Sequence, residues 1–265
     1  MICARCRQFA AAPGGDLCRR CEAANAHPAP RIPQQGPQGQ LDGLAPAAWL
    51  RSPVGLGRAA AVVLGLVIAA DLFAIYADLV TYDVTGDLMD GAVGGAVTRR
   101  ADHADTLYSA AGSAQTAALL TSVVVFLCWF HRVRVNSEVF NPFGHSKTRG
   151  WAIGGWFTPI VNLWFPRRIT LDIWDASSPF GAPRSHAPVN AWWTLWILSL
   201  VADRAGTTQY IRADTAEEIH DAVLQVMFSD AVDIAAAALA ILVVLRLTRM
   251  QHEKALQGPP VPAAV

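Results

Sequence analysis

RAAAVVLGLVIAADLFAIYADLV, residues 58–80, decides the architecture. Between Arg58 and Val80 only Asp71 and Asp78 carry charge, and most of the rest is Ala, Val, Leu and Ile. A helix of this length rises about 34 Å at about 1.5 Å per residue, enough to cross a hydrocarbon core about 30 Å thick. Hydrocarbon offers no partner to a backbone N–H or C=O, so the segment must close its hydrogen bonds internally as an α-helix. Three further apolar runs centre near Val124, Leu195 and Leu239. The expectation is an all-α, four-span transmembrane helical bundle, with spans at about 58–80, 110–131, 189–206 and 225–247.

Composition agrees. Hydrophobic residues make up 53% of the chain and charged residues 16%, which is less polar than an average soluble domain. Acids and bases balance at 21 each, so charge suggests neither a nucleic-acid partner nor an acidic substrate. The balance hides segregation along the chain. Arg51 and Arg58 flank the start of the first span, whereas Asp78, Asp83, Asp87 and Asp90 cluster at and beyond its end. The second span exits through His131-Arg132-Val133-Arg134, and Arg246, Arg249 and Lys254 follow the last. The positive-inside rule then places both termini in the cytoplasm of a multi-pass cell-membrane protein, with the Gly-rich, acidic loop from Thr81 to about Asp105 outside. The opening residues lack an apolar core behind a positive flank, so no cleavable signal peptide is expected.

Four of the five cysteines fall in one segment, as Cys3-x-x-Cys6 and Cys18-x-x-Cys21. Each pair can present two thiolates from a tight turn, and two pairs complete a tetrahedral zinc site. The intervening Pro13-Gly14-Gly15-Asp16 is a turn signal that folds one knuckle on the other. The gap is shorter than in the usual zinc ribbon, and two disulfides are the competing reading. Disulfides would need an extracytoplasmic N-terminus, against the charge pattern. With four thiolates and no open position, the zinc would be structural, holding together a segment too small for its own core. Residues 1–22 are thus read as a zinc-ribbon-like knuckle, 23–50 as a Pro- and Gln-rich linker, 51–250 as the membrane part and 251–265 as a tail. Cys128 sits in an apolar helix, where a buried small hydrophobe is the simplest role.

Residues 150–166, GWAIGGWFTPIVNLWFP, are apolar but barely long enough to cross. Pro159 removes a helix hydrogen bond near the middle, and Arg149 and Arg167-Arg168 make both flanks basic. If the segment spanned, every later loop would invert its charge preference. A re-entrant or interfacial segment is expected, followed by an amphipathic stretch from Arg167 to Ser177 along the inner surface. Thr215-x-x-Glu218 forms a capping box that starts the last helix.

The pattern of Trp151, Trp156, Phe157, Pro159, Asn162, Trp164 and Pro166, with Trp192-Trp193 downstream, resembles the bacterial membrane family called domain of unknown function 4328. The likeness runs from about Ala60 to Leu247. It implies a multi-pass fold, in some members with a short zinc-ribbon-like N-terminus, and it implies no activity. Phe165 stands where such sequences often carry an arginine, with Arg167 and Arg168 beyond.

Asp71 lies thirteen residues after Arg58, and Asp233 thirteen before Arg246, so both sit at similar depth, about 20 Å from the basic ends. Asp230 shares a helix face with Asp233. The third apolar run is short, which draws Asp203-Arg204 into the bilayer. Each aspartate at a span centre costs about 2.5–3.5 kcal/mol on insertion scales, so these groups should point into the bundle. One reading is a structural clamp, with Arg204 paired to Asp71 or Asp233. The other is a proton or cation site, since adjacent carboxylates cannot all ionise. His131 caps the second helix as an interfacial imidazole, His103 and His220 lie near the outer surface on separate helices without matched metal ligands, and no catalytic constellation is present. The leading expectation is a non-enzymatic scaffold or sensor in the bilayer, whose zinc knuckle recruits a cytoplasmic protein. The alternative is a small proton- or cation-coupled transporter or channel using the intramembrane aspartates.

Overall fold

A computed structural model describes residues 2–4, 10, 13–16, 19, 50–179 and 181–257. Residues 1–47 and 48–265 form separate units. In the second unit, six α-helices run in the order α1 (Val54–Met89), α2 (Gly95–Phe140), α3 (Trp151–Phe157), α4 (Phe165–Ser177), α5 (Ala187–Arg212) and α6 (Ala216–Gln257), with a 3-10 turn at Val161–Leu163. Among the described residues, α1, α2 and α6 are long and apolar enough to cross a membrane.

The four long helices are antiparallel in sequence order. Gly57 meets Thr248 near one end of the α1–α6 pair, and Thr85 Oγ1 lies 3.0 Å from His220 Nδ1 near the other. Gly206 brings α5 against the backbone of α6 at Gln225 and Val226. The strong interfaces are α1 with α6, α1 with α2, and α5 with α6. The helices therefore form an arc in the order α2, α1, α6, α5, and α2 does not pack along α5.

The exterior is apolar, unlike that of a water-soluble bundle, and carboxyls are buried inside. Val62, Leu66, Leu120, Val124 and Val201 are more than half exposed, whereas Asp71 is only 3% exposed and Asp230 8%. Apolar side chains outward and carboxyls inward is the arrangement a lipid solvent selects. Cys128 also faces outward rather than being buried, because the opposite face of α2 at that depth is taken by Trp129 and Phe130.

The helices exceed the expected spans. α1 continues to Met89 and α2 begins at Gly95, which reduces the expected loop of residues 81–105 to a five-residue turn. Gly91 and Gly94 make that turn with φ of +84° and +111°, open to glycine without strain. Arg100 pairs with Asp83 and Asp87, tying the extended ends together. At the other pole α6 stays helical through Gln257, so residues 251–257 belong to it and not to a tail. Lys254 Nζ donates to Ala176 O at 2.8 Å and Ser178 O at 2.7 Å, and Gln251 Nε2 donates to Val133 O at 2.8 Å. These bonds anchor the last turns to the ends of α2 and α4.

Residues 150–166 do not form one helix. α3 has seven residues, about 10 Å of rise, far less than a bilayer. Pro159 and Ile160, whose φ of +67° is rare for a β-branched residue, turn the chain into the 3-10 segment and then α4. Pro166 occupies the first turn of α4, where its missing N–H costs nothing. Ile169, Ile173 and Trp174 on α4 are fully buried, so this amphipathic helix packs into the bundle end more deeply than a surface helix. The capping box is present: Glu218 N–H donates to Thr215 Oγ1 at 3.2 Å, and Thr215 N–H to Glu218 Oε2 at 3.1 Å.

Gly57 allows a close crossing of α1 and α6. A Cβ there would lie 2.4 Å from Thr248 Oγ1 and 3.1 Å from Thr248 Cβ, and that hydroxyl accepts the Trp129 Nε1 bond at 2.9 Å. Gly57→Ala is expected to lower unfolding stability by about 1–3 kcal/mol, the cost of overpacking a tight contact. Thermal unfolding of purified protein in detergent measures it, and adding Thr248→Ser, which removes a methyl but keeps the hydroxyl, should recover part of the loss.

Candidate functional site

Asp71 and Asp78 stand two turns apart on the buried stripe of α1 that also carries Ala70, Ala74, Ala77 and Thr81. Small residues let α6 approach, and its facing stripe presents Ser229, Asp230, Ala236, Ala237 and Ala240. Gln115 of α2 completes the group. Its Nε2 donates to Asp71 Oδ1 at 3.1 Å and to Asp230 Oδ1 at 3.0 Å, holding two carboxyls together with one amide. Asp233 stands close enough to Asp71 and to Ser199 on α5 to interact electrostatically with both. The Oδ2 atoms of Asp71, Asp78 and Asp230 are buried without a hydrogen-bond partner among the described residues.

Asp203 adds its field to Asp230 and Asp233 without a direct bond. Arg204 does not join them. It faces outward and lines a shallow groove with Glu218 and Asp221, between α5 and the start of α6. The expected pairing of Arg204 with Asp71 or Asp233 is thus replaced by carboxyls that meet without a cation among the described ion pairs. Sequence reasoning missed Gln115 and assigned Asp78 to the outer boundary. The i, i+7 spacing of Asp71 and Asp78 was the available signal, since it puts both on one helix face.

Towards the acidic end, polar groups continue from this cluster. Asp78 acts electrostatically on Asp230, Tyr108 and Tyr210, and Asp105 acts on Tyr210. The two tyrosine rings stack across the open side of the arc, 4.7 Å between centroids, linking α2 to α5. His220 stacks on Tyr82 with centroids 3.7 Å apart, next to its contact with Thr85.

Towards the basic end the interior turns aromatic. Trp156 sits among Phe126, Phe130, Trp192, Trp193 and Trp196, with centroid separations of 5.4 to 6.4 Å. Trp193 Nε1 donates to Leu163 O at 3.1 Å, fastening the 3-10 turn to α5. Trp151 meets Phe165 edge-on at 5.0 Å, while Phe157 and Trp164 are largely exposed. Asn162 donates its backbone N–H to Thr158 O at 3.0 Å in the proline turn. The turn therefore plugs the basic end with indoles.

Between plug and carboxyls lies a cavity of about 290 Å³. Leu64 and Val67 of α1 and Asp233, Ala236, Ala237 and Ala240 of α6 form its back wall. Leu119, Ser122 and Phe126 of α2 face Trp192, Trp196 and Leu200 of α5 across it.

Of the cysteine pairs, Cys3 is described and buried, whereas Cys6, Cys18 and Cys21 lie outside the described residues, as does most of the 23–50 linker. No cluster of metal-binding side chains occurs among the described residues. An antiparallel bridge joins Ile2 and Ala10, and Ala4 N–H donates to Asp16 O at 2.9 Å, across a turn where Gly14 has φ of +91°.

Membrane-length helices, an apolar exterior and a carboxyl interior define a multi-pass membrane protein. Its family can be named: the chain belongs to the family Domain of unknown function (DUF4328), which matches residues 95–249. The match takes in α2 through most of α6, with the tryptophan plug, Gln115 and Asp233, and leaves out α1 with Asp71. No curated protein and no solved structure matches the chain.

Proposed function

We propose that this protein is a small proton-coupled transporter or channel, with a proton site formed by Asp71, Gln115, Asp230 and Asp233. One observation carries the reading: buried carboxyls from α1 and α6 converge with no cation among the described residues. Acids so close together and away from water cannot all hold charge, so the cluster binds protons. A clamp would instead present an ion pair. The polar groups from Asp105 through the tyrosine pair to Asp78 supply a path from the acidic end, and the indole plug separates the cluster from the basic end. Four spans follow if α5, which runs beside α6 over the same depth, counts as one. The positive-inside rule makes the basic end cytoplasmic, with both termini there and the proton path opening outward. The reading is non-enzymatic. Full-length protein in liposomes with a trapped pH indicator should collapse an imposed pH gradient faster than protein-free vesicles do. Equal rates would end the reading.

The N-terminal segment is a separate module in this reading, a structural zinc knuckle that offers a cytoplasmic partner a rigid surface. Paired Cys-x-x-Cys motifs and the fold-back of Ile2 on Ala10 support it. Purified full-length chain is expected to carry about one zinc ion by atomic absorption. Cys6→Ser or Cys21→Ser should lose it while the unfolding temperature of the helical unit stays unchanged.

A further inference from the structure

The cavity beneath the carboxyls is enclosed on three sides. Because α2 and α5 do not pack along one another, its fourth side is a gap between them. Phe157, Leu119 and Leu200 line that side and are 65%, 56% and 42% exposed. These side chains lie at the depth of the apolar exterior, so the gap opens to lipid and not to either aqueous face. The tyrosine stack closes it towards the acidic end and the tryptophan plug towards the basic end.

The lining is chemically asymmetric. Nearly all of it is aliphatic or aromatic, and its one ionisable group is Asp233. Asp233 differs from its neighbours in reaching this space: the free oxygens of Asp71 and Asp230 are sealed, whereas Asp233 is only partly buried. Opposite it stand Trp156, Trp192, Trp196 and Phe126. A carboxylate facing aromatic rings in a water-poor space complements an organic cation, attracted by charge at one point and by ring quadrupoles around it. At about 290 Å³ the cavity is at the lower end of ligand pockets, roughly 300–1,000 Å³, so its occupant is small.

We propose that this cleft binds a small lipophilic organic cation, an amine with an aromatic or alkyl body that enters sideways from the bilayer. Its charged nitrogen sits at Asp233 and its body against Trp156, Trp192 and Trp196. The proposal rests on the proton-site reading and names its substrate class: a cation at Asp233 replaces the proton that Asp233 and Asp71 otherwise hold, so arrival of one releases the other. No covalent change is involved. The α6 residues Ala236, Ala237 and Ala240 make the space, because larger side chains there would fill it.

Benzyltrimethylammonium, a permanent cation with an aromatic body, is the probe. Neopentylbenzene, the same shape without charge, is the control. With full-length protein in nanodiscs, calorimetric titration should give saturable binding of the cation, at least about tenfold tighter than that of the neutral isostere. In weakly buffered solution the titration should release protons to an indicator dye. Asp233→Asn and, separately, Ala237→Phe should each weaken binding at least about tenfold, with near-ultraviolet circular dichroism reporting whether each variant is folded. Absent saturable binding, equal affinity for the two probes, or unchanged affinity in folded Asp233→Asn would each overturn the proposal. The comparison of the two probes uses the unaltered chain, so a variant that fails to fold does not remove the test. An acid–base titration without probe separates the two readings. Proton uptake that persists in the parent and is lost in Asp71→Asn, together with no cation binding, ends the cation site alone. No such uptake ends both.

Discussion

Asp71→Asn is expected to reduce gradient collapse in liposomes to the rate of protein-free vesicles, the largest functional effect of any single change. Asn keeps the shape of the side chain, and its Oδ1 still accepts from Gln115 Nε2, the bond seen at 3.1 Å. What it removes is a proton-carrying group between Asp230, which shares the Gln115 amide with it, and Asp233. Stability should move the other way. An ion-paired aspartate would leave a buried cation uncompensated when neutralised, at a cost of about 3–5 kcal/mol. Asp71 faces no cation among the described residues, so Asn is expected to leave the unfolding temperature unchanged or to raise it. Loss of flux with retained stability distinguishes a proton site from a clamp. Asp78→Asn should slow flux without abolishing it, because Asp78 stands on the path and not in the Gln115-linked group. Rates from a trapped pH indicator, beside thermal unfolding of the same preparations, measure all three expectations.

Arg134→Met is expected to cost about 3 kcal/mol of stability, the largest effect outside the carboxyl cluster. Arg134 is 2% exposed near the basic end of α2, ion-paired to Glu138 at 2.7 Å and donating to Lys147 O at 2.7 Å. Methionine fills much of the volume but leaves that carbonyl unpaired, and Glu138 keeps only Arg149. The 141–150 loop should loosen as a result, although Ser146 still donates its N–H and its hydroxyl to Asp172 Oδ2, at 2.8 and 2.6 Å. The same corner makes the fold acid-sensitive. Burial, with the Arg134 charge second, holds the His145 imidazole below its ordinary 6.5. Protonation therefore favours the unfolded chain, and stability falls as pH drops below about 6.5. Burial opposes ionisation of Glu138, but the Arg149 hydrogen bond and the Arg134 and Arg149 charges outweigh it and hold the carboxyl below 4.5. Its contribution is present above that value and is lost as pH falls through the lowered one. Chemical unfolding at a series of pH values should show stability declining from pH 7 downwards, with a smaller decline between pH 6.5 and 4.5 in His145→Gln.

Much of the fold was legible from local chemistry. Apolar runs bounded by arginines marked the long helices, Pro159 marked the break in residues 150–166, and Thr215 and Glu218 marked the start of α6. Residues 81–105 were misjudged as a loop because acidic, Gly-rich composition argues against helix locally. Burial of Val84, Thr85 and Ala104, with the Arg100 pairs to Asp83 and Asp87 beside it, keeps that region helical through contacts between helices. Residues 251–257 were misjudged likewise, since their anchors are carbonyls of α2 and α4 far away in the chain. The candidate site was half legible: depth along each helix placed Asp71, Asp230 and Asp233 at one level, but depth does not specify direction.

By itself, then, the chain's residue order determined the solvent, the helices and the level at which charges enter the bilayer, because each depends on neighbours within a few turns. Only tertiary structure decided that Gln115 bridges two aspartates, that Arg204 turns outward, and that α2 and α5 part to leave a cleft beneath Asp233. The physical reason is rotational. Hydrophobicity sets which segments cross, but when every face of a helix is apolar, the face that meets a partner is chosen by the fit of small residues such as Gly57, Ala77 and Ala240 between helices distant in sequence.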